Sequence, residues 1–304
     1  MPELPEVETI KLGLQKTILG KTISKVEVRL SKIISLGPKV VSNIRKASTK
    51  TVETFKRMIV GHKIEQVKRR GKMLIVKFSG PFTLLVHLKM TGQLIFAKKG
   101  EQKNVKIFNS QNSPRANLPH KYTHLIFSFS DGSRLFYNDL RQFGYLRLVP
   151  DNEISKVSEL SEYGPEPDAK GFTLDYLISK AHRRPVLTIK QFLMDPKVVA
   201  GIGNIYSDET LYWAKLRPNR KLKSLSRREF QNIYTSIPKV LEKALKAGGS
   251  SVGDFFKVDG TEGRFGRQHM VYGRYGEPCK SCGEIIEKVK LGGRTSSYCP
   301  VCQR

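Results

Sequence analysis

Two groups of residues in this 304-residue chain have types and spacings suited to chemistry. The first is the opening string Met1-Pro2-Glu3-Leu4-Pro5-Glu6-Val7-Glu8-Thr9. Removal of Met1 makes the Pro2 nitrogen a secondary amine. A terminal α-amino group has a pKa of roughly 7.7–8.0, so a usable fraction is neutral at physiological pH. A neutral amine can attack a sugar aldehyde carbon and form a covalent iminium. Glu3, its neighbour, is placed to give and take a proton. The second group is Cys279-x2-Cys282-x16-Cys299-x2-Cys302, which holds every cysteine of the chain. This is four-thiolate zinc spacing, two knuckles brought together by a hairpin, and it predicts one structural Zn2+. Two disulfides are the alternative. The opening residues are acidic and polar and do not form a secretory leader, which argues against an oxidising compartment.

The elements that position these groups follow from patterning. Pro5 and the acidic residues after it suit the first turn of a helix, where a missing N–H is harmless and negative charge is favoured. Val7, Ile10, Leu14 and Ile18 continue at helical spacing to Gly20, so the helix would hold the N-terminus rigidly. Ile23 to Leu30, Met73 to Phe78 and Phe82 to Leu88 read as strands. His124 to Phe129 and Arg134 to Tyr137 read as a pair around the turn Asp131-Gly132. Residues 39–57 form a basic stretch of loop and helix, and residues 98–120 an exposed loop. From Pro150 the strands give way to helices, Leu187 to Asp195 and about Ile205 to Ala214, joined by Val199-Ala200-Gly201-Ile202-Gly203-Asn204. The third position of a dinucleotide-binding glycine pattern is Tyr206 here, and the element upstream is helical, so that reading fails. Tight glycine turns before a helix instead expose backbone N–H groups that suit a phosphate. Residues 248–269 are glycine-rich and carry Phe255, Phe256 and Phe265, so they read either as a linker or as a mobile lid.

The charge bears on the partner, with a membrane surface or simple solubility as the alternatives to nucleic acid. With 54 Lys and Arg against 27 Asp and Glu, the net charge of +27 calls for a polyanion, most simply nucleic acid. No apolar run is long enough to span a bilayer. Between residues 181 and 230 there are 11 basic and 4 acidic residues, which makes the helical region an electrostatic face.

Pro2-Glu3-Leu4-Pro5-Glu6-Val7-Glu8-Thr9 resembles the N-terminal signature of the formamidopyrimidine-DNA glycosylases, bacterial-type repair enzymes that excise oxidised purines. Further strings match in chain order: Arg69-Arg70-Gly71-Lys72, His87-Leu88-Lys89-Met90-Thr91-Gly92, Asn138-Asp139-Leu140-Arg141-Gln142-Phe143-Gly144, Gly201-Ile202-Gly203-Asn204-Ile205-Tyr206-Ser207-Asp208-Glu209 and Gly293-Arg294-Thr295. The resemblance implies that Pro2 is the nucleophile, that Glu3 assists, and that Lys72 reaches the sugar and phosphate beside the lesion. It implies that Met90 enters the gap left by an extruded base, Arg141 pairs with the orphaned base and Phe143 wedges beside it. A methionine is otherwise most often core filler, and Arg141 and Phe143 could equally be a strand-end charge and a core ring. His87 fits a structural role as well as a catalytic one. Lys190 and Asn204 are implied as DNA-backbone contacts within a helix-two-turn-helix motif. Arg294, held at the tip of the zinc hairpin, is implied as a phosphate clamp counted among the catalytic groups. The insertions near 39–57 and 98–120, and Pro196, depart from the family pattern.

The expected fold is α+β and multidomain. Residues 1–150 form a two-sheet antiparallel β-sandwich with flanking helices, 151–247 a helix-two-turn-helix domain, and 248–304 a lesion-capping loop and zinc finger. The expected activity is that of a bifunctional DNA glycosylase and abasic-site lyase on 8-oxoguanine and formamidopyrimidines, through a Schiff base on Pro2 and β,δ-elimination. The partner is double-stranded DNA carrying oxidised bases or abasic sites, met by a cytoplasmic monomer. The alternatives are an oxidised-pyrimidine glycosylase of the same superfamily and a non-enzymatic zinc-ribbon protein that binds nucleic acid.

Overall fold

The structure is a computed structural model that describes residues 1–39, 47–107, 114–252 and 254–304. The chain forms two compact units. One comprises Met1–Ser161 with Gly248–Arg264, the other Glu162–Ala247 with Phe265–Arg304.

The first unit begins with α1 (Leu4–Thr17). Pro5 lies in its first turn, and the Glu6 carboxylate reaches back to the Glu3 N–H at 2.8 Å, closing a capping box. Val7, Ile10 and Leu14 are its buried face, as their spacing predicts. There follow β1 (Ile23–Val28), β2 (Ile34–Leu36), α2 (Thr49–Ile59), β3 (Ile64–Arg70), β4 (Met73–Phe78), β5 (Phe82–His87), β6 (Gly92–Ala97), β7 (Asn104–Lys106), β8 (Arg115–Asn117), β9 (Thr123–Phe129), β10 (Arg134–Asp139), β11 (Tyr145–Pro150) and α3 (Ser158–Ser161). Among the described residues, β1-β9-β10-β6 make one sheet and β2-β11-β5-β4-β3 a second. All the pairings are antiparallel except β11 with β2.

Strand alternation explains the layering. Leu74, Val76 and Phe78 of β4, with Leu84 and Val86 of β5, face Leu94, Leu125, Phe127 and Leu135 of the other sheet. The intervening positions Met73 and Leu85 bury a separate cluster with Tyr145, Val149 and Val157 on the outer face. Each such side chain contributes about 1.5–3 kcal/mol on burial, so the register is strongly specified. The expected exposed loop at 98–120 is instead partly structured. β7 pairs with β8, and Val105 and Leu118 are buried against Ile126, Phe136 and Phe256. Apolar residues isolated in a polar stretch gave no periodicity to read. Residues 108–113, and residues 40–46 of the other insertion, lie outside the described residues.

The second unit contains α4 (Leu174–His182), α5 (Ile189–Met194), α6 (Asn204–Trp213), α7 (Arg227–Lys246) and a hairpin of β12 (Glu287–Leu291) and β13 (Arg294–Tyr298). α5 is shorter than Leu187 to Asp195 because Thr188 caps it, accepting the Gln191 N–H, and Pro196 follows its C-cap, Asp195. The Pro196 carbonyl accepts the Gly164 N–H at 2.9 Å. A Cβ on Gly164 would lie 2.4 Å from the Val198 carbonyl, so the connection into this unit needs glycine there. No helix among the described residues is long and apolar enough to cross a membrane.

Candidate active site and nucleic-acid interface

Register brings four sequence-predicted segments of the first unit to one end of its sandwich. Met73 pairs with His87, and Tyr145 pairs with His87 on the other side. The Gly71-Lys72 turn, the Leu88–Gly92 turn and the Arg141–Gly144 loop are therefore neighbours. α1 runs antiparallel to β3, with Gln15 bonded to the Val67 carbonyl and Glu8 to Arg69 at 2.7 Å. Continued toward its N-terminus, α1 carries Glu3 and Pro2 to the same end. Pro2 and Glu3 are buried, and Met1 is 38% exposed.

The Glu6 carboxylate fixes this terminus. One oxygen accepts from Glu3 N, and the other accepts from Ser250 N at 2.7 Å. Gly249 has φ +84°, and an added Cβ would lie 2.9 Å from Phe255 and 3.1 Å from Glu6. The start of the 248–264 segment is thus held on the N-terminal helix by its backbone.

Asp139, to which the sequence assigns no role, organises the turn that carries Met90 and the loop that carries Arg141 and Phe143. Its buried carboxylate accepts from the Thr91 hydroxyl, from Gly144 N at 2.8 Å and from the Tyr137 hydroxyl at 3.3 Å. Thr91 in turn accepts the Arg141 N–H at 2.9 Å. One carboxylate therefore ties the turn carrying Met90 to the loop carrying Arg141 and Phe143. Burial, and then the Asp139 charge, push the Tyr137 phenol well above its ordinary pKa, so it remains a donor. A Cβ on Gly144 would collide with the Tyr137 hydroxyl at 1.9 Å, which makes glycine obligatory there. Held in this way, Arg141 and Phe143 are both exposed, and the guanidinium lies 4.8 Å from the ring centre. Met90 is half-buried and so is not core filler. A buried Asp bonding three separated residues leaves no linear pattern, although its position two residues before Arg141 was the available signal.

His87 is buried, and its Nδ1 accepts the Lys89 N–H at 3.0 Å. Desolvation, then the charges of Lys89 and Lys72, lower its pKa to about 3. It is a neutral, positioned imidazole at neutral pH, with Lys72 near enough to add to the field.

In the second unit, the β12–β13 turn packs on the helical motif. Gly292 and Gly293 have φ +54° and +74°, which the tight hairpin turn requires. An added Cβ on Gly292 would meet the Gln191 amide at 2.9 Å. Arg294 follows the turn and is exposed. Asn204 opens α6 and donates its side-chain amide to the Thr295 carbonyl at 3.1 Å. Lys190 differs from the sequence expectation. It is 0% exposed, and its ammonium lies 2.6 Å from Asp208 and 2.8 Å from the Asn204 carbonyl. Asp208 also accepts from the Ser296 hydroxyl and from Ser297 N. Leaving this buried pair would cost several kcal/mol, so the ammonium braces Asn204 and the hairpin and does not present itself to solvent.

The four cysteine sulfurs lie within 4.8 Å of one another, with Cys279–Cys302 at 3.9 Å and Cys282–Cys299 at 3.5 Å. Tetrahedral zinc with Zn–S of about 2.3 Å requires S–S separations of about 3.8 Å, so the set fits one structural Zn2+ and leaves no position for water.

Comparison with known proteins agrees with this geometry along the whole chain. Residues 1–146 match the formamidopyrimidine-DNA glycosylase N-terminal domain, 163–255 its H2TH domain, and 276–304 the zinc finger found in FPG and IleRS. Proteins named formamidopyrimidine-DNA glycosylase from Lactiplantibacillus plantarum and Carboxydothermus hydrogenoformans are 38% and 39% identical, each over 100% of both chains. The Lactococcus lactis Fpg bound to DNA containing an abasic site is 32% identical, superposing with a TM-score of 0.81 over 99% of both chains. MutM in complex with DNA containing carbocyclic 8-oxo-G gives the same identity and TM-score over 100% of both. The chain belongs to the formamidopyrimidine-DNA glycosylase family.

Proposed function

We propose that this protein excises oxidised purines from double-stranded DNA through a Schiff base on Pro2 and then cuts the strand by β,δ-elimination. The observation that carries the reading is the convergence of the capped N-terminus, Lys72, Met90 and the Arg141–Phe143 loop at one end of a single unit. The relatives' name and the abasic, Fapy-dG and 8-oxo-G duplexes of the solved neighbours support the substrate class.

Extruding a base costs a few kcal/mol of stacking, which Met90, Arg141 and Phe143 offset by filling the vacancy. With Met1 removed, the Pro2 nitrogen lone pair attacks the sugar C1′. The bond from C1′ to the base breaks and the base departs with its electron pair; the Pro2 nitrogen loses its proton, Glu3 delivers a proton to the ring oxygen, and the C1′–O4′ bond breaks as the nitrogen pair forms C1′=N⁺. The resulting iminium acidifies C2′. Loss of a C2′ proton expels the 3′-phosphate, and loss of a C4′ proton expels the 5′-phosphate. Lys72 holds the phosphate and sugar beside the lesion. Arg294 and Asn204 take phosphates at the second unit, where a bidentate guanidinium spans two oxygens. Lys190 acts through Asn204 and Asp208. Bound zinc keeps the hairpin folded, and Cys279, Cys282, Cys299 and Cys302 are its ligands.

The test is a set of duplexes, each with one defined lesion. Rapid incision at 8-oxoguanine and formamidopyrimidine with phosphate on both new ends is the expected result. One neighbour is a wild-type L. lactis Fpg complex with DNA containing an oxidised pyrimidine, so that lesion belongs in the set. Faster turnover of oxidised pyrimidine than of either purine lesion would move the assignment to the pyrimidine reading. Binding without incision of any duplex would favour the non-enzymatic one.

A further inference from the structure

The second unit carries a groove whose residues have no part in the reading proposed above. Trp213, at the C-terminal end of α6, forms one wall, and α7 supplies Ser236, Lys239, Val240, Glu242, Lys243 and Lys246. Its volume is about 350 Å3, enough for one large side chain and part of the backbone that carries it. Ser236 and Val240 are buried, whereas Lys239, Lys243 and Lys246 are exposed. Trp213 is 43% exposed. α6 rises about 1.5 Å per residue, which puts Trp213 roughly 14 Å along the helix from Asn204.

Charge and shape point to one class of occupant. Glu242 is paired with Lys246 at 2.6 Å, and no ion pair among the described residues engages Lys239 or Lys243. Two uncompensated ammonium groups therefore flank a partly apolar slot. The Lys243 ammonium lies 4.1 Å from the Trp213 ring centre. That face of the indole is covered, which counts against a nucleobase stacked there; the ring also meets Tyr212 at right angles with centroids 5.9 Å apart, and the remaining exposed part of Trp213 is open to an apolar side chain. Tryptophan is enriched among the few residues that dominate binding energy at protein interfaces.

We propose that this groove docks a short acidic peptide segment of a partner protein. An aromatic or long aliphatic side chain lies between Trp213 and Val240, and flanking carboxylates pair with Lys239 and Lys243. The inference is independent of the glycosylase reading, since none of these residues has a role in it.

Trp213 is the chain's single tryptophan, so its fluorescence reports on the groove directly. Titrating the full-length protein with acetyl-DDFDD-amide should give a saturable emission change with Kd of about 10–500 μM, weakening as salt rises. Lys239→Glu with Lys243→Glu should weaken it at least about tenfold. Because both lysines are exposed, this variant should keep wild-type circular dichroism and incise an abasic duplex at the wild-type rate. Saturating the protein with abasic duplex should leave peptide binding unchanged. Three results would overturn the proposal: no saturable change, equal binding of acetyl-DDSDD-amide, or displacement of the peptide by oligo-dT. The second would reduce the site to charge alone, and the third would make it a nucleic-acid surface.

Discussion

Truncating Asp139 tests whether one buried carboxylate positions both the Met90 turn and the Arg141–Phe143 loop. Asp139→Ala leaves the Gly144 N–H, the Thr91 hydroxyl and the Tyr137 hydroxyl without their acceptor. Each buried polar group left unsatisfied costs about 1–3 kcal/mol. With partial relaxation the sum is roughly 3–5 kcal/mol, at the upper end for a single substitution. For a unit of this size about 1 kcal/mol moves Tm by roughly 2–4 °C, so thermal unfolding of the N-terminal unit should fall by about 6–20 °C. Asp139→Asn is the matched control. Its oxygen can accept from Gly144 and Tyr137 while its amide donates to Thr91, which still accepts the Arg141 N–H. It should cost only about 1 kcal/mol, the difference between a charged and a neutral acceptor. Assayed well below the lowered Tm, Asp139→Ala should excise 8-oxoguanine roughly 10–100-fold more slowly, since loosening the Arg141–Phe143 loop misplaces the groups proposed to hold the helix open. Differential scanning calorimetry and single-turnover excision are the measurements. A Tm within about 2 °C of wild type, together with unchanged excision, would refute the positioning argument.

Glu3→Gln should slow base excision by at least about 100-fold while sparing much of the cutting of a preformed abasic site, where the base has already left. Equal loss in the two assays would place Glu3 in the elimination steps as well. His87 makes a pH prediction. Its folded pKa is about 3, against about 6.5 in the unfolded chain, so the unfolded state takes up the proton first as pH falls. Its contribution to stability is therefore complete above about pH 6.5 and declines by about 1.4 kcal/mol per pH unit below it. Urea titrations of His87→Gln between about pH 6.5 and 4 should lack that slope; an unchanged slope would mean His87 is solvated in the folded state. Arg294→Ala should weaken binding to damaged and undamaged duplex alike and flatten the log–log salt dependence by about 0.9. Loss of lesion preference with the salt slope intact would mean that the finger reads the base site.

Much of this architecture was legible because it rests on local rules. The apolar spacing of α1, the short apolar run of β4 and the hairpin turn before Arg294 each specify an element without distant information. The four cysteines fix a metal site by valence and spacing, and the sulfurs do converge. What escaped the sequence depends on long-range contacts. Asp139 acts by bonding residues 48 positions before it and 5 after. Lys190 looked like a phosphate ligand by its place in the motif, but burial beside Asp208 makes it a brace. The β7–β8 hairpin was hidden because Val105 and Leu118 find apolar partners only when the sheet and Phe256 are present.

The central claim is that the processed Pro2 nitrogen is the nucleophile. Borohydride reduction during incision of an 8-oxoguanine or abasic duplex, followed by proteolysis and mass mapping of the adduct, tests it most directly. The account predicts a stable protein–DNA cross-link on a peptide that begins at Pro2, and no cross-link when Met1 is retained and the nitrogen remains an amide. A cross-link mapped to Lys72, or one formed equally well with Met1 in place, would contradict it.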